Sequence, residues 1–526
     1  AAISRVALHE ELEKREISVN PDILIVGAGV AGIEAAQTFS RAGRKVYLVE
    51  RDPCIGGLVA RFEEVYPSME CAPCMVAAML QDVLQDDNIE VMTHSEISSV
   101  KGFLGNFEIE ITRKARSVDE DACLGCNECI EVCPESTINE FDEGLSERKA
   151  IYVPYAGALP NVPVIDREIC LRHNGEDCSL CEESCPMGAI RYEQGDRVRS
   201  VEVGGIVLAT GGTLFDPARI EKLHFDEIHE VYTSMQLERI IAGNGPTDGK
   251  IVRRDGSEPK SVALLHCVGS RKPELADYCS GICCLYNLKF ARNLKERLPE
   301  AEVLNFYTDL CLPGKESQKF ADETLENTTL IEIQGDVELE ESDSGVKIKY
   351  TTSDGSAKSR AVDMVVLAPA IVPAEGTAEL AEMFDVDLDD RGFFAEDHRL
   401  INPFSSSVEG IQLAGMAQGP KGVEASIAQA AGASGRLLSA LVPGRLLATE
   451  SRTTIILEEV CGGCKSCVAL CPYSAIDYDP EEEISRVNEV LCKGCGTCVS
   501  ACPSGAARAK HFTKEQIFAE IEEVIR

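Results

Sequence analysis

No stretch of the 526-residue sequence approaches the ~20 consecutive apolar residues that a bilayer-spanning helix needs, and tryptophan is absent. A helical membrane span is thereby excluded, and the chain reads as soluble. The opening residues interleave Glu and Lys with apolar side chains, unlike the unbroken apolar core of a signal peptide. The first residue is Ala rather than Met, which leaves processing or truncation upstream open. Positive charge is scarce: 51 Lys and Arg face 88 Asp and Glu, for a net charge of −37. Nucleic acids and anionic membranes would be repelled over most of such a surface, so protein partners are expected instead.

Cysteine is abundant. The chain has 24, and sixteen of them fall in short-spaced runs ending in Cys-Pro. That pattern belongs to metal ligands rather than to a disulfide framework, which implies a reducing compartment, the cytoplasm of an anaerobe. The length allows roughly two to four domains.

Residues 5–16 (RVALHEELEKRE) have apolar side chains at helical spacing and predict a short amphipathic helix within an N-terminal element, 1–20. From Asp22, ILIVGAGVAGIEAAQTFSRAGRKVYLVE reads as a buried strand, a glycine turn, an Ala-rich helix and a second strand ending at Glu50. A lone G-x-G-x-x-G is weak, and a Gly-rich turn without ligand is its bland reading; the complete βαβ unit makes it a dinucleotide fingerprint. Gly27 allows the tight turn, Gly29 lets the backbone approach a pyrophosphate, Gly32 lets the helix pack on the strand, and Glu50 accepts ribose hydroxyls. Arg51 and Gly57 are counted with this site.

Two segments repeat one cysteine pattern. At the C-terminus Cys461, Cys464, Cys467 and Cys471-Pro precede Cys492, Cys495, Cys498 and Cys502-Pro, two CxxCxxCxxxCP runs. In two-cluster ferredoxins the fourth Cys of each run ligates the cluster of the other run. Cys461, Cys464, Cys467 and Cys502 are therefore expected to hold one 4Fe-4S cluster, and Cys492, Cys495, Cys498 and Cys471 another. Within 119–195, Cys123, Cys126, Cys129 and Cys133-Pro precede Cys170, Cys178, Cys181 and Cys185-Pro, with seven residues rather than two between Cys170 and Cys178. The same exchange groups Cys123, Cys126, Cys129 with Cys185, and Cys170, Cys178, Cys181 with Cys133. Zinc is the rival metal, but it wants four ligands per site rather than interleaved triplets with Cys-Pro.

The cysteine-rich segment 119–195 interrupts a flavoprotein-like pattern that resumes at VEVGGIVLATGG (201–212) and continues with SVALLHCV, MVVLAPAIV and GIQLAGMA. The expected organisation is a nucleotide-binding α/β domain over 21–118 and 196–446, the insertion 119–195, and a C-terminal α+β module over 447–526 closed by a capped helix at 513–525. GGIVLATGG and GIQLAGMAQGPKG resemble the supporting flavin segments of thioredoxin-reductase-like flavoproteins. The resemblance implies FAD, with Ala209, Thr210, Gly211, Gly415, Met416 and Ala417 at the cofactor and Gln418 and Lys421 beside them. A second nucleotide half in that group takes NAD(P)H, yet SVALLHCVGSRK has a single glycine where a second fingerprint would stand. A pyridine-nucleotide site is not expected.

Eight cysteines remain: Cys54, Cys71, Cys74, Cys267, Cys279, Cys283, Cys284 and Cys311. Buried packing is the bland reading for any one of them. Together with VGAGVAGIEA, CIGG...ECAPCMV, HCVGSRKPELADYCSGICCLYNLKFA, LAGMAQGPKGVEASIAQA and HFTKEQI, the arrangement resembles the A subunit of heterodisulfide reductases, an iron–sulfur flavoprotein. That resemblance covers nearly the whole chain. It implies an oxidoreductase whose flavin takes an electron pair from a hydrogenase or formate dehydrogenase module. One electron goes to ferredoxin and the other to disulfide-reducing subunits, in a dimer of larger heteromers.

It also implies Lys289 as a positive charge beside the flavin, against the alternative of a solvated helix residue, and a cluster on Cys54, Cys71 and Cys74. An N-terminal domain of the family that contributes to this cluster does not precede the βαβ unit here, so the fourth ligand is open. Cys267, Cys279, Cys283 and Cys284 are expected to bind a further cluster at the end of a strand, where doubly wound folds place ligands. Side chains adjacent on a helix diverge, so one of Cys283 and Cys284 could yield to Cys311, and a redox disulfide is the competing reading. A one-path electron conduit, as in quinone-interacting oxidoreductase complexes, is the rival function.

Overall fold

Ile23–Val26 is apolar and buried at every position, the mark of a central parallel strand covered on both faces. It sits in a five-stranded, all-parallel sheet in the order Ile411–Leu413, Gly205–Leu208, Ile23–Val26, Val46–Val49, Ile89–Met92. The helix Val30–Arg41 crosses from the first strand to the second and packs against Val423–Ala440. This computed structural model describes residues 2–12, 16–342, 345–448, 453–489 and 491–525.

A second sheet has seven strands, ordered Val231–Thr233, Met364–Pro369, Ser261–Val268, Glu302–Tyr307, Thr329–Ser342, Gly345–Thr352, Ala357–Val362. The first five pair in parallel and the last two add an antiparallel meander. Both sheets belong to one compact unit, residues 21–101 and 108–440, which also contains the cysteine-rich insertion. The insertion is built of short elements around Val118, Ile151, Ile165 and Ile190, with Cys129, Cys170 and Cys181 in the same core. Val118 and Ile190 pair where the chain enters and leaves it. A buried ion pair, Arg239 Nε to Asp142 Oδ1 at 2.9 Å, ties it to the helix Ser234–Ile241 of the second half.

The other unit comprises residues 1–20, 102–107 and 441–526. Its ferredoxin-like part pairs Thr454–Ile456 with Ala507–Ala509 and Ile476–Asp479 with Ile484–Val487. The closing helix, Lys514–Ile525, is capped reciprocally by Thr513 and Gln516, as a T-x-x-Q box predicts. The N-terminal helix differs from expectation. It spans Ala2–Val6 and buries no side chain, while Glu16–Ser18 is a strand paired with Leu446–Ala448; residues 13–15 lie outside the described residues. A segment this short gains little from helical propensity, and one that buries no side chain gains nothing from packing. Among the described residues no helix is long and apolar enough to cross a membrane.

Candidate functional site

At the carboxyl ends of the five-stranded sheet lies a cavity of about 950 Å³, at the upper end of the roughly 300–1,000 Å³ of small-molecule sites. Gly27, Gly29, Glu50, Arg51 and Gly57 line it from one side, Ala209, Thr210 and Gly211 from the next strand, and Gly415 and Met416 from the last. The glycines are sterically necessary in different ways. A Cβ on Gly27 would lie 2.4 Å from the Ala209 carbonyl oxygen, and one on Gly32 1.9 Å from that of Gly27, so both are close-packing positions. A Cβ on Gly29 would meet nothing nearer than the Gly57 Cα at 3.9 Å. Gly29 is the cap of Val30–Arg41, so free amides and the positive end of the helix dipole face this space.

The cavity fits a flavin dinucleotide by its polar lining as well as by its size. Thr210 Oγ1 is buried without a protein partner. Buried polar atoms are nearly always paired, so this hydroxyl is aimed at something the protein does not supply. Glu50 accepts from the Ala28 amide at 2.7 Å and the Asp52 amide at 3.0 Å. Burial, then the charge of Asp52, pushes its carboxyl up to about 7. Each carboxylate oxygen keeps a lone pair for a ribose hydroxyl.

Three expected cofactor residues are not among those lining this cavity. Ala417 is buried, and its carbonyl accepts from Phe394. Gln418 donates to Glu396 and to the Pro403 carbonyl, both at 2.8 Å. Lys421 donates to the carbonyls of Gly415 at 2.7 Å and Gly419 at 3.0 Å, and burial pulls its pKa down to about 8. Lys421 thus satisfies the backbone of the turn that holds Gly415, whose φ is +68°. Lys289 is not the solvated helix residue of the alternative reading. It is 3% exposed, donates to Glu238 and to the Glu64 carbonyl, and is not among the residues lining the cavity. A buried ammonium demands a counter-ion, and Glu238 neutralises it. Pattern reading missed Phe141 and Tyr155 of the insertion, which stack at 4.4 Å and line the cavity.

Twelve of the sixteen patterned cysteines gather around three hollows. One is lined by Cys123, Cys126, Cys129 and Cys185, a second by Cys133, Cys170, Cys178 and Cys181, and a third by Cys471, Cys492, Cys495 and Cys498. Cys502 stands within electrostatic reach of Cys464. Backbone amides donate to sulfur: Ala189 to Cys185 at 3.2 Å, Ala475 to Cys471 at 3.3 Å, Thr454 to Cys492 at 3.3 Å, Ala507 to Cys502 at 3.4 Å. Amide-to-sulfur bonds of this kind stabilise thiolates and tune cluster potentials, so the donor sets fit cubanes. Among the described residues no three of His, Cys, Asp or Glu converge as a single metal ion would require; the thiols ring open spaces instead.

Five further cysteines meet at the end of Ser261–Val268 in the second sheet. A register shift between Leu265 and Val268 and a φ of +59° turn Cys267 out of the strand. Cys283 and Cys284 open the helix Cys283–Arg297, and burial pushes both thiols up to about 12. Such thiols hold their protons until a metal displaces them. The two adjacent thiols take different partners, Cys283 Sγ donating toward the Pro369 carbonyl at 4.0 Å and Cys284 Sγ toward the Asp309 carbonyl at 3.9 Å, as neighbouring positions on a helix predict. The Gly281 amide donates to Cys279 Sγ at 3.3 Å and the Cys311 amide to Cys284 Sγ at 3.4 Å.

The expected Cys54, Cys71 and Cys74 ligand set is not presented. Cys71 and Cys74 form a disulfide, with Cα atoms 5.4 Å apart, while Cys54 lines the large cavity. Cys71 caps the helix Ala72–Gln85 and Cys74 lies one turn in, so the two sulfurs face each other rather than a third thiol.

Family models match three stretches: an FAD dependent oxidoreductase at residues 22–62, a 4Fe-4S binding domain at 117–138 and a 4Fe-4S dicluster domain at 460–506. The thioredoxin reductase of T. acidophilum aligns with 80% of this chain and 98% of its own at 15% identity and a TM-score of 0.43. Sequence relatives are much nearer. The A subunit of the H(2):CoB-CoM heterodisulfide,ferredoxin reductase of Methanothermobacter thermautotrophicus is 39% identical over 526 residues, 99% of this chain and 79% of that one. The A subunit of the H(2)/formate:CoB-CoM heterodisulfide,ferredoxin reductase of Methanococcus maripaludis is 36% identical over 99% of this chain and 80% of its own. The chain is an oxidoreductase of α/β architecture that holds FAD and 4Fe-4S clusters. With identity at this level over nearly its whole length, it belongs to the family of heterodisulfide reductase A subunits.

Proposed function

We propose that this chain divides electron pairs in a cytoplasmic heterodisulfide-reductase-type complex, a dimer of larger heteromers. A hydrogenase or formate dehydrogenase module delivers the pair, one electron leaves toward ferredoxin and the other toward disulfide-reducing subunits. Bound FAD supplies the exchange between two-electron and one-electron chemistry. The observation that carries the reading is that Phe141 and Tyr155, which line the flavin cavity, belong to the same small insertion as two four-thiol hollows. Protein-bound cubanes on Cys123, Cys126, Cys129, Cys185 and on Cys133, Cys170, Cys178, Cys181 then adjoin the flavin through one packed module. Cys267, Cys279, Cys283 and Cys284 hold a fifth cluster, which adds a second exit at the other sheet. The two C-terminal sets carry electrons onward.

The deciding experiment is anaerobic purification followed by a potentiometric titration of the flavin. Co-purification with a hydrogenase or formate dehydrogenase module, and one-electron flavin potentials in inverted order, are expected. Normally ordered potentials would overturn division of the pair and leave the one-path conduit. Rapid bleaching of the flavin by NADH or NADPH would overturn both.

A further inference from the structure

Cys71 and Cys74 are the one bonded pair of sulfurs among the described residues, and both residues are exposed. Sixteen cysteines patterned for iron call for reducing surroundings, where the disulfides that do form are mostly transient, catalytic or redox-sensing. Cys-Ala-Pro-Cys close to a βαβ unit has the spacing of a thiol–disulfide motif. Its placement supplies the chemistry. Cys71 is the N-cap of the 14-residue helix Ala72–Gln85, and its Sγ accepts from the Cys74 amide at 3.2 Å. Amide donation and the positive end of the helix dipole favour a thiolate at that sulfur, the form that attacks. The pair is also firmly mounted. Cys71 pairs with Glu64 across a short hairpin, the Ala72 amide donates to the Glu63 carbonyl at 3.0 Å, and Tyr66 and Met69 of the hairpin pack on Leu285, Leu288 and Phe320. Ala72, Val76, Leu80 and Val83 bury one face of the helix. Neither sulfur is among the residues lining the flavin cavity, so an exchange partner would come from solvent.

We propose that Cys71 and Cys74 form a thiol–disulfide exchange site, separate from the flavin and the clusters, that passes electron pairs from an external dithiol to an external disulfide. Cys71 is the attacking sulfur and Cys74 the resolving one. In the reductive half, one thiolate of the dithiol attacks Cys71 Sγ, the Cys71–Cys74 bond breaks, and Cys74 leaves as a thiolate that takes up a proton. The second thiol of the dithiol then closes on the first and releases the Cys71 thiolate. In the oxidative half that thiolate attacks the external disulfide, whose first thiolate leaves and is protonated. Cys74 then attacks Cys71 Sγ, which restores the bond and releases the second thiolate. Two electrons and two protons pass from dithiol to disulfide, and neither metal nor flavin takes part.

The anaerobically purified full chain is compared as parent, Cys71→Ser and Cys74→Ser, with dithiothreitol as the dithiol and bis(2-hydroxyethyl) disulfide as the acceptor. FAD content and iron per chain report folding in each. After trapping with iodoacetamide, trypsin releases residues 62–101, which contain no cysteine besides these two. In the parent this peptide should pass from the disulfide to the doubly alkylated form on treatment with dithiothreitol and return on addition of the acceptor, with iron unchanged. Cys74→Ser should collect one mercaptoethanol adduct on Cys71, and Cys71→Ser should largely lose the adduct. A parent peptide that stays in one form through both treatments overturns exchange, and equal adduct in the two variants overturns Cys71 as the attacking sulfur. Loss of about four irons from either variant would make the pair cluster ligands and overturn the site. If either variant fails to hold FAD, the parent decides by the same change of form.

Discussion

Replacing Gly29 by Ala separates the cofactor from the fold. Gly29 has φ −79° and ψ −177°, a conformation any residue adopts. Its added Cβ would find no protein atom nearer than 3.9 Å, so the chain accommodates the change. The methyl group occupies cavity space instead, over the amides at the start of Val30–Arg41, where a pyrophosphate would bind. Charge-assisted hydrogen bonds contribute about 1.5–3 kcal/mol each. Losing two costs about 3–6 kcal/mol, or roughly 10²- to 10⁴-fold in FAD affinity. Gly32→Ala makes the contrast, because its Cβ would sit 1.9 Å from the Gly27 carbonyl oxygen and force the helix off the strand. The assay is the ratio of acid-released FAD to chain, with iron content and circular dichroism as controls. Gly29→Ala should have parental iron and spectrum and little FAD, whereas Gly32→Ala should lose FAD and stability together. Stoichiometric FAD in Gly29→Ala would refute the assignment of this cavity.

Glu50, whose carboxyl burial raises to about 7, holds its proton more tightly folded than unfolded. Its stabilising contribution is complete below the ordinary carboxyl range and is lost as pH rises through 7. At about 1.4 kcal/mol per pH unit that amounts to no more than about 3 kcal/mol. Urea midpoints of the apoprotein between pH 4.5 and 7.5 should therefore fall less in Glu50→Gln than in the parent, and identical slopes would count against it. Lys289→Met strands Glu238, itself 2% exposed, at a cost of about 3–5 kcal/mol. Lys289→Met/Glu238→Gln should recover most of that in thermal flavin-release measurements; an unchanged Lys289→Met would show that the pair is not closed. Cys471→Ala should abolish the resonance of the cluster on Cys492, Cys495 and Cys498, not the one nearest in sequence, and the reverse pattern would refute the interleaved assignment.

What could be read from the sequence follows how locally each feature is determined. The βαβ unit and the cysteine runs are short patterns whose spacing is dictated by a ligand, a pyrophosphate or a cubane, so Gly27, Gly29, Gly32 and the sixteen cysteines announce themselves without the rest of the chain. Lys289 does not, because its state depends on Glu238, 51 positions away and on another helix. The helical pattern at 5–16 misled because it counts apolar spacing, whereas the helix that forms, Ala2–Val6, buries no side chain and so has no packing to extend it. Gln418 and Lys421 are a different case: they are next to the cofactor turn in sequence, but Lys421 is spent on that turn's own carbonyls and Gln418 on Glu396 and the Pro403 carbonyl. A polar residue beside a strained glycine turn has two employers, the ligand and the backbone, and burial favours the backbone whenever its carbonyls would otherwise go unpaired. The same competition explains Thr210. It lies just past the strand Gly205–Leu208, no neighbouring carbonyl claims the hydroxyl, and that freedom marks it, more than its position in a motif, as a residue left for the cofactor.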